Sequence, residues 1–503
     1  MESARLGTSA MLMMASKAIS HGCYLLVAVV LARSLEVAEF GTFNQVWLVN
    51  KSLVFLFALG LPVSVYYFLA RLPDEKKKSF ILQTIASLAV LALPFAISMY
   101  ALADLLARYF HNPALAPSLR LFAIYPLLTL PTISTDAILI GLGRTKQAAL
   151  FDIVTTTAML TAVAAAATLG HRLDLVFKAL LAYGVVQSLV AAWLVWRPVR
   201  RMPSRFSAAD LKAQVAYAAP YGLAALVGAL NYQVDKVLVA LFYPLGVFAL
   251  YAVAAFEIPL AGVTSVPVVS VIMGELTRKF TSGDIEGFLR LWHQSMLKLA
   301  LPVFAVAGFL FVVAGPVVVG MYSSKYADSV GLFRIYLLFL ALRITVLEQV
   351  LAALGDTRFV FKAQALALLT NVALGYLLMR AVGWFGPAIS ALLAGYLFGA
   401  MVMVRIRRRL NVGFGRLVPW LALGRVALVA ILAAGGAAAV TLLGSNPVWK
   451  VGAGFLVFAT IYLLGNLWTG AITAGDLRTV WSSVQMARRW PTSGERPRPA
   501  AHE

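Results

Sequence analysis

The sequence contains little charge and almost no cysteine. Only 13% of its 503 residues are charged, whereas 61% are hydrophobic, and the mean hydropathy is +0.86. A soluble protein carries roughly a quarter charged residues, so this composition excludes a soluble enzyme. The single cysteine, Cys23, permits no intramolecular disulfide, and we expect it to be inert packing. The apolar runs are about 20 residues long, which predicts a polytopic α-helical membrane protein and not a β-barrel.

Motifs for several catalytic and energy-coupling chemistries are also missing. The chain has no H-E-x-x-H, no G-x-S-x-G, no G-x-x-x-x-G-K-[ST] and no Cys/His cluster with metal-ligand spacing. The connections between the apolar runs are short, so they leave no room for an extramembrane catalytic domain. We therefore expect a protein that is not an enzyme, holds no metal or cofactor, and is not itself a nucleotide-driven pump.

Fourteen apolar runs are long enough to be membrane spans. Their approximate ranges are 8–32, 42–69, 80–104, 118–142, 148–169, 175–196, 214–241, 249–275, 291–314, 330–354, 362–382, 388–404, 420–443 and 450–474. Most of the 42 Lys and Arg residues fall in alternate connections, which places both termini in the cytoplasm by the positive-inside rule. Because these residues mark topology, we expect no nucleic-acid partner. The first run lacks a small-residue cleavage site, so we expect it to be a retained span.

A weak internal repeat relates the two halves of the chain. The matching segments are Leu31–Phe43 with Val239–Tyr251, at a shift of 208, and Gly141–Lys146 with Ala353–Arg358, at a shift of 212. The second register also pairs Asp136 with Glu348. Two shifts that agree within four residues predict a duplication. We expect two pseudo-symmetric six-helix lobes over 1–200 and 201–410, two further helices in 411–474, and a basic cytoplasmic tail over 475–503 that binds membrane lipids.

The same motifs carry a family resemblance. The L-A-R-x-L…E-F-G-x-F stretch at Leu31–Phe43 and the G-x-G-R-T-K turn at Gly141–Lys146 resemble the Wzx-type polysaccharide flippases of the multidrug/oligosaccharidyl-lipid/polysaccharide exporter superfamily. The resemblance covers nearly the whole chain. It implies two lobes around a central cavity lined by spans 1, 2, 7 and 8, in a bacterial inner membrane. It also implies a substrate, an undecaprenyl-pyrophosphate-linked oligosaccharide, which is moved to the outer leaflet by alternating access coupled to protons or sodium.

The first helical hairpin carries cations deep within apolar sequence. Lys17 lies about nine residues, or about 14 Å, from the nearest polar flank, too far for its stem to reach the headgroups. Each central charge costs roughly 3 kcal/mol, and neither helix contains an acidic residue within its apolar run to offset it. We therefore predict a cationic, anion-binding cavity that includes Lys17, His21 and Lys51. The alternative is that Lys17 forms a structural ion pair with an acid of the other lobe, such as Asp235 or Glu257.

Further charged residues lie in the predicted spans of the second half. We assign Lys236 and Arg343 to substrate binding, because a guanidinium binds phosphate oxygens bidentately. Glu257, Asp235 and Glu348 are the candidates for ion coupling, because a carboxylate held in a membrane span can carry a proton. For each residue the alternative is a structural ion pair. Asp136, Lys298, Arg334 and Arg425 lie nearer the span ends, where we assign them no function.

Three other functions stay open at this stage. A lipid II flippase shares the fourteen-span plan, although that branch is usually noted for arginines where this chain has lysines. A multidrug or cation antiporter of the same superfamily needs acidic cavity residues, which the first two spans lack. An integral membrane polymerase or glycosyltransferase needs a large loop or an acidic motif that we do not find. The polysaccharide polymerase and export machinery are candidate partners of the tail.

Overall fold

The computed structural model describes residues 2–202, 207–256, 272–443 and 446–472. Over these ranges the chain forms α-helices and three short 3₁₀ turns, with no strand, which confirms the predicted all-α fold. The helices are α1 (Glu2–Ser34), α2 (Val37–Ala58), α3 (Leu61–Leu69), α4 (Asp74–Ala101), α5 (Ala103–Tyr109), α6 (Leu115–Phe122), α7 (Tyr125–Thr129), α8 (Thr135–Gly141), α9 (Thr145–Gly170), α10 (Leu173–Val199), α11 (Ala208–Asn231), α12 (Val234–Phe242), α13 (Leu245–Ala254), α14 (Ile285–Val312), α15 (Ala314–Tyr322), α16 (Ser329–Leu338), α17 (Leu340–Arg343), α18 (Leu347–Ala353), α19 (Thr357–Val382), α20 (Gly386–Leu410), α21 (Phe414–Leu417), α22 (Trp420–Leu443) and α23 (Pro447–Trp468). Residues 272–281 are helical as well.

The protein is a multi-pass membrane protein. In the described ranges, eleven helical segments are long and apolar enough to cross a membrane, and the bent pair α2–α3 would make a twelfth. One of the eleven, 358–410, contains two successive helices, α19 and α20, which pack against each other. The predicted span 249–275 lies largely within 257–271, outside the described residues. The predicted count of fourteen spans is therefore not confirmed.

The second predicted span is broken between α2 and α3. Leu59 and Gly60 both adopt left-handed backbone angles, with φ of 47° and 71°, and the two helices meet at 43°. Gly60 adopts this conformation without a side-chain penalty, and Pro62 favours the start of the next helix. The sequence Leu-Gly-Leu-Pro thus divides one span into a long helix and a short, separately oriented one.

Corresponding helices of the two halves pack in corresponding pairs. In the first half α1 packs along α9, and α9 packs on α10. In the second half α11 packs along α19, and α19 packs on α20. These are spans 1, 5 and 6 and spans 7, 11 and 12 in the predicted order. The parallel supports the predicted duplication, while the domain boundaries stay a prediction.

The last two helices, α22 and α23, attach to the second half through α14. Phe309 and Phe455 meet edge to face with ring centroids 5.5 Å apart. The Tyr462 hydroxyl donates a hydrogen bond to the Leu301 carbonyl at 2.8 Å. An aromatic pair and a backbone hydrogen bond of this kind fix one helix against another where lipid cannot supply a hydrophobic driving force.

Candidate functional site

Lys17 lies between two carboxylates of neighbouring helices. Its Nζ donates to Asp136 Oδ2 at 2.6 Å and also forms an ion pair with Asp152 Oδ2. Asp136 lies in the first turn of α8, and Asp152 lies in α9, along which α1 packs. We call Lys17, Asp136 and Asp152 the charged triad.

Small polar residues of α1 and α9 surround the charged triad. The Ser16 hydroxyl donates to Asp152 Oδ2 at 3.2 Å, and the hydroxyls of Ser20 and Thr156 lie 3.1 Å apart. Ser16, Ser20 and Thr156 are all buried. These side chains are short, so α1 and α9 approach closely and the Lys17 stem crosses directly to the carboxylates.

The charged triad is partly open and has unused hydrogen-bonding capacity. The Lys17 side chain is 45% exposed, against 21% for Asp136 and 15% for Asp152. Asp136 Oδ1 is buried and has no hydrogen-bond partner among the described residues. One ammonium facing two carboxylates leaves one negative charge in excess when all three groups are ionised. The arrangement can therefore accept one proton without losing its lysine contact.

The charged triad changes the interpretation of Lys17. The sequence suggested an unpartnered cation or, alternatively, a pair with Asp235 or Glu257. The structure instead supplies two acids from the same half of the chain. Sequence reasoning had assigned no function to Asp136 and had overlooked Asp152. The available signal was a lone aspartate within an Ala- and Thr-rich apolar run.

The other two cations of the first hairpin lie on exposed faces. His21 is one turn beyond Lys17 on α1, and its Nδ1 lies 2.6 Å from the Lys17 carbonyl oxygen. Lys51 lies on an exposed face of α2. Their role in an anion-binding cavity stays a prediction.

Asp235 is buried in the second half by tyrosines and by its neighbour Lys236. Its Oδ2 accepts hydrogen bonds from Tyr251, at 3.2 Å, and from Tyr336. Lys236 Nζ lies 3.6 Å from Asp235 Oδ1 and donates to the Tyr232 carbonyl at 3.0 Å. Asp235 is 2% exposed, and its Oδ1 is buried without a hydrogen-bond partner among the described residues. Its role in ion coupling stays a prediction.

Glu348 lies at one end of a series of hydrogen bonds between uncharged amide and hydroxyl side chains. Gln364 Nε2 donates to Glu348 Oε1 at 2.5 Å, and Asn231 Nδ2 donates to Gln364 Oε1 at 3.4 Å. Asn371 Nδ2 in turn donates to Asn231 Oδ1 at 3.1 Å, and the Ser390 hydroxyl donates to Asn371 Oδ1 at 2.9 Å. We call Asn231, Glu348 and Gln364 the neutral triad, because the acid bonds to one uncharged amide, which in turn bonds to a second.

Two predicted site residues remain, Arg343 and Glu257. Arg343 donates to the Tyr232 hydroxyl and lies over the Tyr232 ring, 5.5 Å from its centroid. Glu257 falls outside the described residues. Among the described residues, no group of three or more His, Cys, Asp or Glu side chains is placed to hold a metal ion.

The two triads occupy corresponding places in the repeat. The shift of 212 that pairs Asp136 with Glu348 also pairs Asp152 with Gln364. Within each half these two positions are 16 residues apart. Asp136 and Asp152 both contact Lys17 of α1, whereas in the second half only Gln364 contacts Asn231 of α11, and Glu348 contacts Gln364. The halves thus bring equivalent positions together with different chemistry.

Comparisons with solved structures show the fold. The chain is similar to the lipid II flippase MurJ in an inward closed conformation, with a TM-score of 0.70 and 15% identity over 91% of this chain and 98% of that one. It is also similar to a multidrug resistance MATE family transporter of the MOP superfamily in an inward-facing conformation. That match has a TM-score of 0.66 and 16% identity over 80% of this chain and 98% of the other.

Comparison of the sequence with family models gives a further result. No curated protein matches the chain. A family model described as polysaccharide biosynthesis protein matches residues 6–272, more than half of the chain. This match includes the Leu31–Phe43 and Gly141–Lys146 motifs and confirms the resemblance drawn from them. The protein belongs to the polysaccharide biosynthesis protein family.

Proposed function

We propose that this protein is a flippase that moves undecaprenyl-pyrophosphate-linked oligosaccharides from the cytoplasmic to the periplasmic leaflet of a bacterial inner membrane. Family membership supports a role in polysaccharide biosynthesis. The observation that carries the proposal is a partly exposed lysine held within apolar helices of the first half. A pyrophosphate carries a high negative charge, and the partly exposed ammonium of Lys17 is a suitable contact for it. We propose no chemical step. We also propose that both termini lie in the cytoplasm, as the distribution of Lys and Arg residues predicts.

The charged triad suggests how ion binding and substrate binding are linked. When both acids are ionised, they hold the Lys17 ammonium between them. A proton on Asp136 or Asp152 removes one of its two anionic partners and leaves the ammonium available to an external anion. Proton uptake thus favours the state that binds a phosphate, which is the differential affinity that coupling requires.

We propose a proton as the coupling ion. The Lys17 ammonium already occupies the space between the carboxylates that a sodium ion would need. We therefore propose Asp136 and Asp152 as the coupling site, ahead of the candidates named from the sequence, Glu257, Asp235 and Glu348. Lys51, His21, Lys236 and Arg343 remain proposed substrate contacts.

The substrate is tested by measuring the lipid-linked oligosaccharide pool of a deletion strain. Lipids are extracted and analysed by mass spectrometry, with the wild-type gene restored as the control. We expect one complete repeat unit to accumulate on the lipid carrier, which would also identify the sugar. Accumulation of lipid II with loss of viability would contradict the proposal and support a lipid II flippase.

The cationic contacts are tested by the double variant Lys17→Ala, Lys51→Ala. We expect less folded protein in the membrane, because Asp136 and Asp152 lose their lysine. We also expect no export by the folded protein that remains, because both ammonium groups of the first hairpin are removed. Export unchanged from wild type would exclude these lysines from the substrate path. Arg172→Ala, an exposed cation at the start of α10 that pairs with Asp174, is the matched control.

A second candidate is a multidrug or cation antiporter of the same superfamily. The sequence argument against it was the lack of acids in the first two spans. The structure places Asp136 and Asp152 directly beside α1, and this observation favours the candidate. Extrusion of a cationic dye by the reconstituted protein, with an unchanged lipid-linked pool in the deletion strain, would support it over the flippase.

A further inference from the structure

The short helix α3 of the first half packs against α11 of the second half on the predicted cytoplasmic side. Gly60, at its start, lies against α11 so closely that an added Cβ would come within 2.5 Å of the Ala218 carbonyl oxygen. The contact is reciprocal, since a Cβ on Gly222 would come within 2.4 Å of the Leu59 carbonyl carbon. Two glycines thus allow the two backbones to touch.

A fully satisfied amide lies at the centre of this contact. Gln214 of α11 is 0% exposed, and its Nε2 donates to the hydroxyls of Ser64, at 3.0 Å, and Thr84, at 2.8 Å. Its Oε1 accepts from Gln83 Nε2 at 3.5 Å. Both amide protons are therefore used across the boundary between the halves.

The same face of α11 makes two further contacts towards the predicted cytoplasmic surface. Tyr217 stacks on Tyr67 of α3 with ring centroids 4.3 Å apart. Asp210 forms an ion pair with Lys76 at 3.3 Å. These contacts come from one face of α11, because positions 210, 214, 217 and 218 recur at helical spacing. We call the contacts of this face with α3 and α4 the seam.

Two helices of this seam, α3 and α11, contain a break in regular helical geometry. α3 begins at the left-handed Leu59–Gly60 break, which separates it from α2 by 43°. Pro220 lies inside α11, next to the glycine contact, and removes one helical hydrogen bond there. Such breaks are tolerated in membrane helices, where they serve as hinges.

The other face of α3 leads to the charged triad. Val65 and Leu69 pack with Ala137 and Ile138 of α8 in a small core that is separate from the main one. Ala137 directly follows Asp136 in the chain. A shift of α8 when Asp136 changes partner would therefore be transmitted to α3 by direct packing.

We propose that α3 is a hinged gate that closes the transport path on the predicted cytoplasmic side, with Gln214 as its latch and α8 as its link to the charged triad. This inference rests on the proposed transport function and names the gate of that same path. Neutral hydrogen bonds and two glycine contacts hold the gate shut without a buried charge, so it opens at moderate cost.

Crosslinking across the seam tests the gate. In a Cys23→Ser background, which removes the single cysteine, Tyr67→Cys with Tyr217→Cys is oxidised in membranes. We expect the crosslink to lower export at least about tenfold and a reductant to restore it, because alternating access needs the seam to part. The control is Phe309→Cys with Phe455→Cys, a pair of similar separation on α14 and α23, whose crosslink should leave export unchanged. Full export by the crosslinked Tyr67/Tyr217 protein would overturn the proposal.

Two variants test Gln214 as the latch and α8 as the link to the charged triad. For each variant we measure the rate at which the crosslink between positions 67 and 217 forms. Gln214→Leu should slow the crosslink about tenfold, because the three buried hydrogen bonds of the Gln214 amide are lost. Asp136→Asn should change the rate several-fold, whereas Asp104→Asn, an exposed acid paired with Arg120, should not. An unchanged rate in Gln214→Leu would overturn the latch, and an unchanged rate in Asp136→Asn would overturn the link.

The same readout separates this proposal from the proposed function. Crosslinking rates are measured without any substrate, so they do not depend on which molecule is transported. If the deletion strain accumulated no lipid-linked sugar, the Gln214 result would still stand. If the Gln214 effect were absent, the lipid-pool result would be unaffected.

Discussion

Each half of this protein brings residues of three corresponding helices together, one half with charges and the other with one acid and two amides. In the first half an ammonium lies between two carboxylates, Asp136 and Asp152. In the second half one carboxylate, Glu348, is followed by the amides of Gln364 and Asn231. The repeat explains the shared positions, and the substitutions explain the different chemistry.

We infer from this difference which half couples transport to protons. Two carboxylates that share one cation have a negative charge in excess, so protonation of one acid relieves repulsion. A single carboxylate that accepts from an amide has no second acid to repel it, and its amides cannot titrate. The first half is therefore the proposed site of coupling, and the second half is a structural counterpart.

The largest expected effect comes from removing the cation of the charged triad. Lys17→Met leaves two carboxylates together without a partner. Because the charged triad is partly exposed, the cost is below the roughly 3–5 kcal/mol of breaking a fully buried pair. We expect a large loss of folded protein in the membrane, measured by size-exclusion chromatography of a fluorescent fusion. Adding Asp152→Asn should restore much of the yield but not export. A normal yield of Lys17→Met alone would show that the triad is not an ionic unit.

The second-largest effect, a loss of export, is expected when side chains of the charged triad are replaced with the amides found in the second half. The double variant Lys17→Asn, Asp152→Gln replaces the ammonium and one carboxylate beside Asp136 with amides, the side chains of Asn231 and Gln364 in the second half. Because each polar group can still find a partner, we expect near-normal folded yield but export reduced at least about tenfold, because coupling needs the excess charge. Export is measured by complementation of the deletion strain. Full export would show that the charged pattern is dispensable.

A smaller effect is expected in the neutral triad. Gln364→Leu removes the hydrogen-bond donor to Glu348, and leaving a buried acceptor unsatisfied costs about 1–3 kcal/mol. We expect a lower thermal midpoint with export retained. Gln294→Leu, at an exposed position of α14, is the matched control and should leave the midpoint unchanged. Loss of export at a normal midpoint would instead place Gln364 in the transport mechanism.

The smallest effect is expected at the edge of the charged triad. Ser20→Ala removes one hydroxyl contact with Thr156, and interhelical hydrogen bonds in membranes average about 0.6 kcal/mol. We expect a slight fall in the thermal midpoint and no change in export. Thr161→Ala, at an exposed position of α9, serves as the reference. A loss of export as severe as that of the Lys17 variants would mean that Ser20 belongs to the functional unit.

Much of the fold followed from the sequence because hydropathy and repeats are local patterns. The apolar runs predicted a multi-pass helical protein, and the motifs at Leu31–Phe43 and Gly141–Lys146 identified the family. The register that pairs Asp136 with Glu348 was also visible. Each of these features depends only on spacing along the chain.

The partners of Lys17 did not follow from the sequence because they depend on which helices pack together. Nothing in the spacing of residues indicates that α1 lies along α9, which brings Asp152 to Lys17. Asp152 was overlooked as a lone acid in an apolar run, although such a residue needs a partner. Asp136 was placed at a span end, where snorkelling was a sufficient explanation. Both acids acquire a role only when the helices are assembled.

The most direct test of the account is the rate at which the reconstituted protein moves a lipid-linked oligosaccharide across liposomes with and without a pH gradient. Wild type, Asp152→Asn and Glu348→Gln are compared at equal protein density. The account predicts that the gradient accelerates wild type and Glu348→Gln and has no effect on Asp152→Asn. Full acceleration of Asp152→Asn together with its loss in Glu348→Gln would contradict the account and place the coupling site in the second half.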